Sequence, residues 1–297
     1  MAERILAVIG GTGLYDMAGL SDVELCSVDT PYGQPSDRVV RAHLDGAPHQ
    51  LLFLPRHGRG HRIPPHQINY RANVCALKKL GATHVLSVSA VGSMREAIAP
   101  GDLVVVDQFI DLTKRRASTF FEDGVAGHVS CAEPICPQLA HALAGATEVA
   151  RKAAPSLPWG TVHRGGTYLC IEGPQFSSRA ESRVYRSWGV DLIGMTNMPE
   201  AKLAREAELP YATLALATDY DCWHESEEAV DVSAVMTRLA QMIDQAKQVI
   251  AALARALPDA NASPARGAAS AALISARDRV SDDARQRLAW LLPELSR

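Results

Sequence analysis

Asp219-Tyr220-Asp221 sets two carboxylates two residues apart, directly after the apolar run YATLALAT. On an extended segment residues i and i+2 face the same way, so both acids can address one ligand. Two neighbouring carboxylates raise one of their pKa values, which makes that group a proton donor near neutral pH. A second cluster, Arg56-His57, follows the run LLFLP, and residues 46–95 around it hold Arg56, Arg59, Arg62, Arg71, Lys78, Lys79 and Arg95 without one Asp or Glu. Such a local excess of cations favours an anion. Ser89-Ala90-Val91-Gly92-Ser93 closes another apolar run with small and hydroxyl residues that offer amide and hydroxyl donors. Gly10-Gly11-Thr12-Gly13, after ILAVI, lets backbone N–H groups approach an anion closely, and the Thr12 hydroxyl adds a donor.

The same residues exclude other chemistries. Gly11-x-Gly13 is followed by Asp16 where a dinucleotide fingerprint needs its third glycine, and the chain has no GK[ST] phosphate loop and no GxSxG nucleophile elbow. His57, His61 and His66 follow no ligand spacing and have no carboxylate between them, so no metal site is expected. The basic stretch lacks interleaved aromatic residues, which argues against nucleic acid. Taken singly, each cluster also fits a plain turn, a solvated loop or a cap.

The elements that must position these residues alternate. Apolar runs at 5–13, 49–58, 84–93, 102–111, 166–174, 190–195 and 211–219 predict strands, and 68–81 and 199–210 carry helical patterns between them. Strands this uniformly apolar are covered on both faces, which predicts a largely parallel, buried sheet in an α/β fold. Ligands of such sheets bind at the carboxyl ends of strands, where the clusters lie. Residues 232–255 predict an amphipathic helix with Val235, Leu239, Met242, Ile243, Ala246, Ile250 and Leu253 on one face. After this domain, spanning 1–256, the composition of 257–272 (Ala, Ser, Pro, Gly) predicts a flexible linker. Residues 273–297 read as a helical tail whose Leu288, Leu291 and Leu292 must dock to be buried.

With 47% hydrophobic and 21% charged residues the chain is globular and long enough for a sizeable core. A net charge of -3 provides no field to draw in nucleic acid or an acidic membrane, so any anion site is local. No apolar run reaches the ~18 residues of a membrane span. The start, MAERILAVIGGTGLYD, runs into a strand and not a cleavage site, so a cytoplasmic location is expected. Cys26, Cys75, Cys131, Cys136, Cys170 and Cys222 show no CxxC spacing and read as reduced thiols.

Further motifs join these clusters in order: Asn69-Tyr70-Arg71-Ala72-Asn73, Gly101-Asp102, Asp107-Gln108-Phe109-Ile110-Asp111, Glu172-Gly173-Pro174-Gln175-Phe176-Ser177-Ser178-Arg179-Ala180-Glu181, Met195-Thr196, Pro199-Glu200 and Ala217-Thr218-Asp219-Tyr220-Asp221-Cys222-Trp223. Over residues 5–255 the set closely resembles the 5'-methylthioadenosine phosphorylase branch of the trimeric purine nucleoside phosphorylase family. The resemblance implies a single α/β domain around a central mixed, twisted sheet flanked by helices, a homotrimer, and phosphate-dependent cleavage of a purine N-glycosidic bond. It implies inorganic phosphate as co-substrate and no metal or organic cofactor.

Carried over by motif, phosphate would be held by Thr12, Arg56, His57, Ser89, Ala90 and Thr196. The Met195 backbone would meet the ribose, Phe176 would border the base, and Asp219 and Asp221 would hold the purine edge. Asp219 would protonate the departing adenine at N7, with His57 as the other catalytic group. Ser177, where the 6-oxopurine branch typically has Glu, and Asp219, where it typically has Asn, favour a 6-amino base. Val232 and Val235 would wall the 5' end with apolar surface suited to a methylthio group, and His128 would reach into a neighbouring subunit's pocket. Gly194 looks more like the 6-oxopurine branch, which keeps a methylthioinosine or 6-oxopurine nucleoside phosphorylase as the alternative. A nucleoside-sensing binding protein is a rival of another class.

Overall fold

The apolar runs that end in the chemistry-bearing clusters form the centre of one sheet. The computed structural model describes residues 4–11, 13–224 and 232–296. Among them eleven strands pair: β1 (Ile5–Gly10), β2 (Leu20–Cys26), β3 (Val39–Leu44), β4 (Gln50–Pro55), β5 (His84–Ser93), β6 (Leu103–Val105), β7 (Gln108–Asp111), β8 (Val162–Arg164), β9 (Thr167–Cys170), β10 (Leu192–Gly194) and β11 (Tyr211–Asp219). The helices are α1 (Tyr70–Lys79), α2 (Pro137–Ala153), α3 (Arg179–Ser187), α4 (Asn197–Glu206), α5 (Val232–Arg255), α6 (Ala268–Ala272) and α7 (Asp282–Leu288).

The strand order is β2-β3-β4-β1-β5-β10-β9-β7, with β11 joined to β5 and β6, and β6 to β8. Six pairings are parallel and four antiparallel, so the sheet is mixed and less parallel than strand composition alone predicts. The antiparallel pairs are β2-β3 and β3-β4 at one margin, β6 against β11, and β10 returning against the end of β5. Composition reports burial, not direction, because an antiparallel strand covered on both faces is just as apolar.

Strand β5 creates the opening for the site. On one side it pairs with β1 over His84–Ser87 and then with β10 only at Gly92 and Ser93. Among the described residues, 88–91 between these contacts have no sheet partner on that side, while β11 pairs along the other. The Val88 carbonyl faces this gap, where it accepts from Arg56. Strand groups repeat with a period of two, so the Ala90 N–H faces it as well.

The core is continuous through the tail. Leu288, Leu291, Leu292 and Leu295 are buried in the same cluster as the central strands. The stretch 257–272 differs from a flexible linker: it holds the turn Ala260–Ala262 and α6, and Leu257, Ala265, Ala269 and Ala272 are buried. Its small side chains, which read as linker composition, let the backbone pack closely. The tail then docks on the 120–128 loop: Gly127 bridges Leu273, the Ile274 N–H donates to the Ala126 carbonyl at 2.9 Å, and Trp290 meets the Phe120 ring edge-on at 5.0 Å.

Candidate active site

Arg56 follows β4 and turns inward until it is 2% exposed. Its Nε and Nη2 donate to the two carboxylate oxygens of Glu200 at 2.8 and 3.1 Å, Nη2 also to Ser87 Oγ at 2.6 Å and the Ile9 carbonyl at 3.1 Å, and Nη1 to the Val88 carbonyl at 3.1 Å. Burial pulls its pKa down, but the Glu200 carboxylate more than offsets this and leaves it above the ordinary arginine value. One Nη1 hydrogen remains for the cavity that Arg56 lines. Glu200 in turn accepts from the Tyr211 hydroxyl at 2.8 Å. Neither was expected at the site; the only sequence signal was Glu200's place in the Pro199-Glu200 motif.

His57 Nδ1 lies 2.8 Å from the Ile63 carbonyl. A carbonyl only accepts, so Nδ1 carries the hydrogen and Nε2 presents its lone pair. Burial pushes the imidazole pKa down to about 4, so the ring is neutral at pH 7 and can accept from a phosphate hydroxyl. It stacks on His61 with centroids 4.0 Å apart. Ser89 Oγ lies 3.1 Å from Thr196 Oγ1 and 3.4 Å from the Tyr168 hydroxyl, which also accepts from the Thr196 N–H at 3.4 Å. Asn197 locks this end of α4 to the sheet, donating to Ser87 Oγ at 3.0 Å and accepting from Thr213 Oγ1 at 2.8 Å.

Asp219 and Asp221 both line the cavity, but not as successive positions of one extended strand. Asp221 has φ 51° and opens the helical turn Asp221–Trp223. The pair converges because Asp219 Oδ1 accepts from the Asp221 N–H at 2.8 Å, and Asp219 Oδ2 accepts from Thr218 Oγ1 at 2.7 Å. Burial raises the Asp221 pKa, against a 2.6 Å hydrogen bond from Ser182 Oγ that lowers it. Ser177 Oγ is buried and has no partner among the described residues, so it is an open donor and acceptor. Phe176, 45% exposed, stands beside it, just ahead of the Ser178–Glu181 capping box that starts α3.

One cavity of about 500 Å³ holds these groups together: Arg56, His57, Ser89, Ala90 and Thr196 with Phe176, Ser177, Met195, Asp219 and Asp221. Val235, Met236, Leu239 and Ile243 of α5 form an apolar wall. Thr12 and the side chain of Val232 lie outside the described residues. His128 is not brought to this cavity; it is exposed, with its N–H donating to the Ala272 carbonyl at 2.9 Å. Leu291 and Leu292 sit in the chain's own core. A shallower hollow of about 730 Å³ includes Arg95, His163 and Asp191. There Arg95 is engaged by Asp191 at 2.9 Å and His163 by Asp102 at 2.8 Å, and none of the candidate phosphate- or nucleoside-binding residues lines it, so the chemistry belongs to the smaller cavity. Among the described residues no three His, Cys, Asp or Glu side chains group to hold a metal ion.

Gly194 has a packing explanation. A Cβ there would stand 2.6 Å from Tyr168 Cζ and closer still to its hydroxyl. The missing side chain therefore complements a tyrosine on the adjacent strand β9, paired through Ile193–Leu169.

Comparison with known proteins agrees with this geometry. The model of the phosphorylase superfamily matches residues 5–256. A protein of Geobacter sulfurreducens called S-methyl-5'-thioadenosine phosphorylase is 50% identical over 96% of this chain and 97% of its own length. One of the same name from Thermosynechococcus vestitus is 48% identical over 97% of each. The crystal structure of a methylthioadenosine phosphorylase from an antarctic soil metagenomic library superposes with a TM-score of 0.90 at 47% identity, over 99% of this chain and 100% of that one. A Schistosoma mansoni adenosine/methylthioadenosine phosphorylase mutant, solved with methylthioadenosine, gives 0.80 at 34% identity, over 91% and 99%.

Proposed function

The chain belongs to the phosphorylase superfamily, and from that premise we propose that it is a pentosyltransferase that cleaves 5'-methylthioadenosine with phosphate. The products are adenine and 5-methylthioribose 1-phosphate, which return purine and the methionine precursor to use. The observation that carries this reading is the shared cavity, in which an anion cradle, a carboxylate pair and an apolar wall meet.

Phosphate is the co-substrate, and the reaction needs no metal or organic cofactor. Arg56, neutral His57, the Ser89 and Thr196 hydroxyls and the Ala90 N–H hold it, with Thr12 as a further donor. The glycosidic bond breaks through an oxocarbenium-like state, whose positive charge the bound phosphate stabilises before bonding to the anomeric carbon. Electrons of the broken bond pass to the base, and Asp219 delivers a proton to N7. Asp221 and Ser177 fix the base edge beside Phe176, the Met195 backbone meets the ribose, and Val232 and Val235 face the methylthio group. In a homotrimer His128 enters the pocket of a neighbouring subunit. No described helix is long and apolar enough to cross a membrane, and we place the reaction in the cytoplasm. The 6-oxopurine alternative drew on Gly194, which the Tyr168 ring accounts for without reference to the base.

The test is base release from methylthioadenosine, methylthioinosine, adenosine and inosine, run on the wild type and on Asp219→Asn. Methylthioadenosine should be fastest with the wild type. The substitution should cost it about 1–3 kcal/mol of specificity relative to methylthioinosine, as for a buried polar group left unpaired. Equal losses on both nucleosides would remove Asp219 from base recognition.

A further inference from the structure

We infer that Arg116 is a positioning residue that sets the spacing between the ribose-facing and base-facing segments of the cavity; the inference rests on the nucleoside reading above. Arg116 lies on the loop after β7, and its side chain is 1% exposed without lining the cavity. Its Nη1 donates to the Met195 carbonyl at 2.7 Å, the Met198 carbonyl at 2.6 Å and the Tyr70 hydroxyl at 2.9 Å. Its Nη2 donates to the Glu172 carbonyl at 2.6 Å and the Ile171 carbonyl at 3.4 Å, and its Nε to the Glu172 carboxylate at 2.9 Å. One planar group thus joins the segment carrying Met195 and Thr196 to the segment that leads into Phe176 and Ser177.

Each partner is available for a structural reason. Met198 has φ -115° and ψ 134° inside α4, so its carbonyl is turned out of the helical ladder. The Glu172 carboxylate also accepts from the Lys114 and Arg115 amides, which holds the loop that delivers Arg116. The Tyr70 hydroxyl passes the contact on, donating to the carbonyl of cavity-lining Pro65 at 3.1 Å. Burial acts to lower the guanidinium pKa, yet it stays above the ordinary value because the Tyr70 and Cys170 side chains and the Glu172 carboxylate favour the charged form. Only a rigid fork fits carbonyls on two segments at once, since an ammonium is a point charge with no fixed spread of donors. Arg56 and His57 are held independently of Arg116, by Glu200 and by the Ile63 carbonyl. Of the phosphate-binding residues only Thr196 rides on a segment that Arg116 holds, so the consequence falls mainly on the nucleoside.

Arg116→Lys keeps the charge and removes the fork. We expect the nucleoside KM to rise by about tenfold or more, in line with the cost of small misplacements, while the phosphate KM stays within about threefold. A merely structural role would reduce the active fraction and leave both KM values alone. Tyr70→Phe, a milder change should the lysine variant not fold, should produce the same split at about threefold. Calorimetric titration with methylthioadenosine and with phosphate reads the split without turnover. Parallel changes in both ligands, or none in the nucleoside, would overturn the inference. A wild type that binds nucleoside but releases no adenine would instead overturn the proposed activity and leave the titrations to decide the role of Arg116.

Discussion

Glu200 keeps Arg56 charged where a lone guanidinium would have no water to solvate it. Removing one partner of a buried ion pair typically costs about 3–5 kcal/mol, and glutamine can still accept one hydrogen bond, so Glu200→Gln should lose about 3 kcal/mol. Thermal denaturation should show that loss, and the phosphate KM should rise with it; a variant with wild-type stability would mean that the pair is dispensable. His57 makes the complementary prediction about pH. Its pKa falls from 6.5 to about 4 on burial, so between those values the unfolded chain binds more protons than the folded one. Stability therefore falls as pH drops through that window and is unaffected above it. His84, buried and likewise pushed down to about 4, acts in the same direction. Denaturant titrations from pH 7 to 4 should show a shallower decline for His57→Gln than for the wild type. Identical slopes would mean the His57 ring is not held neutral by its surroundings.

Strand β10 spans three residues, yet Met195 and Thr196 take their positions from it. Gly194→Ala should push Tyr168 off the Ser89–Thr196 hydroxyls, at the ~1–3 kcal/mol typical of overpacking, and weaken phosphate binding. Adding Tyr168→Leu should restore much of the lost stability, because the two positions share one volume. If Gly194→Ala alone binds phosphate normally, the strands are looser than the contact implies. Elements of this kind mark where the sequence is legible. The strands 84–93 and 211–219 and the helix 232–255 are readable to the residue, because continuous apolar runs and a 3.6-residue period leave few alternatives. β2 is hidden, since Ser21 to Leu25 are all exposed and carry no apolar pattern. At the site, Arg56, His57, Ser89, Asp219 and Asp221 are visible as clusters at strand ends. Arg116, Tyr168, Ser182 and Tyr211 are not, because each acts through contacts with residues far away in the chain.

The whole molecule closes through its tail. Although the family model ends at residue 256, five leucines beyond it lie in the central core. At ~1.5–3 kcal/mol for each buried leucine, their loss is comparable to the entire ~5–15 kcal/mol stability of a typical domain. A chain ending at residue 256 should therefore express as insoluble or non-cooperatively unfolding protein; unchanged cooperative melting would make the tail an appendage. The central claim, however, concerns what the cavity does to one bond. The most direct measurement is phosphorus NMR of methylthioadenosine incubated with the protein, with and without phosphate, alongside quantitation of adenine. The account predicts adenine and a sugar 1-phosphate in equal amounts, and neither without phosphate. Adenine accompanied by free methylthioribose would make the protein a hydrolase, and binding without release of base would make it a sensor; either contradicts the account.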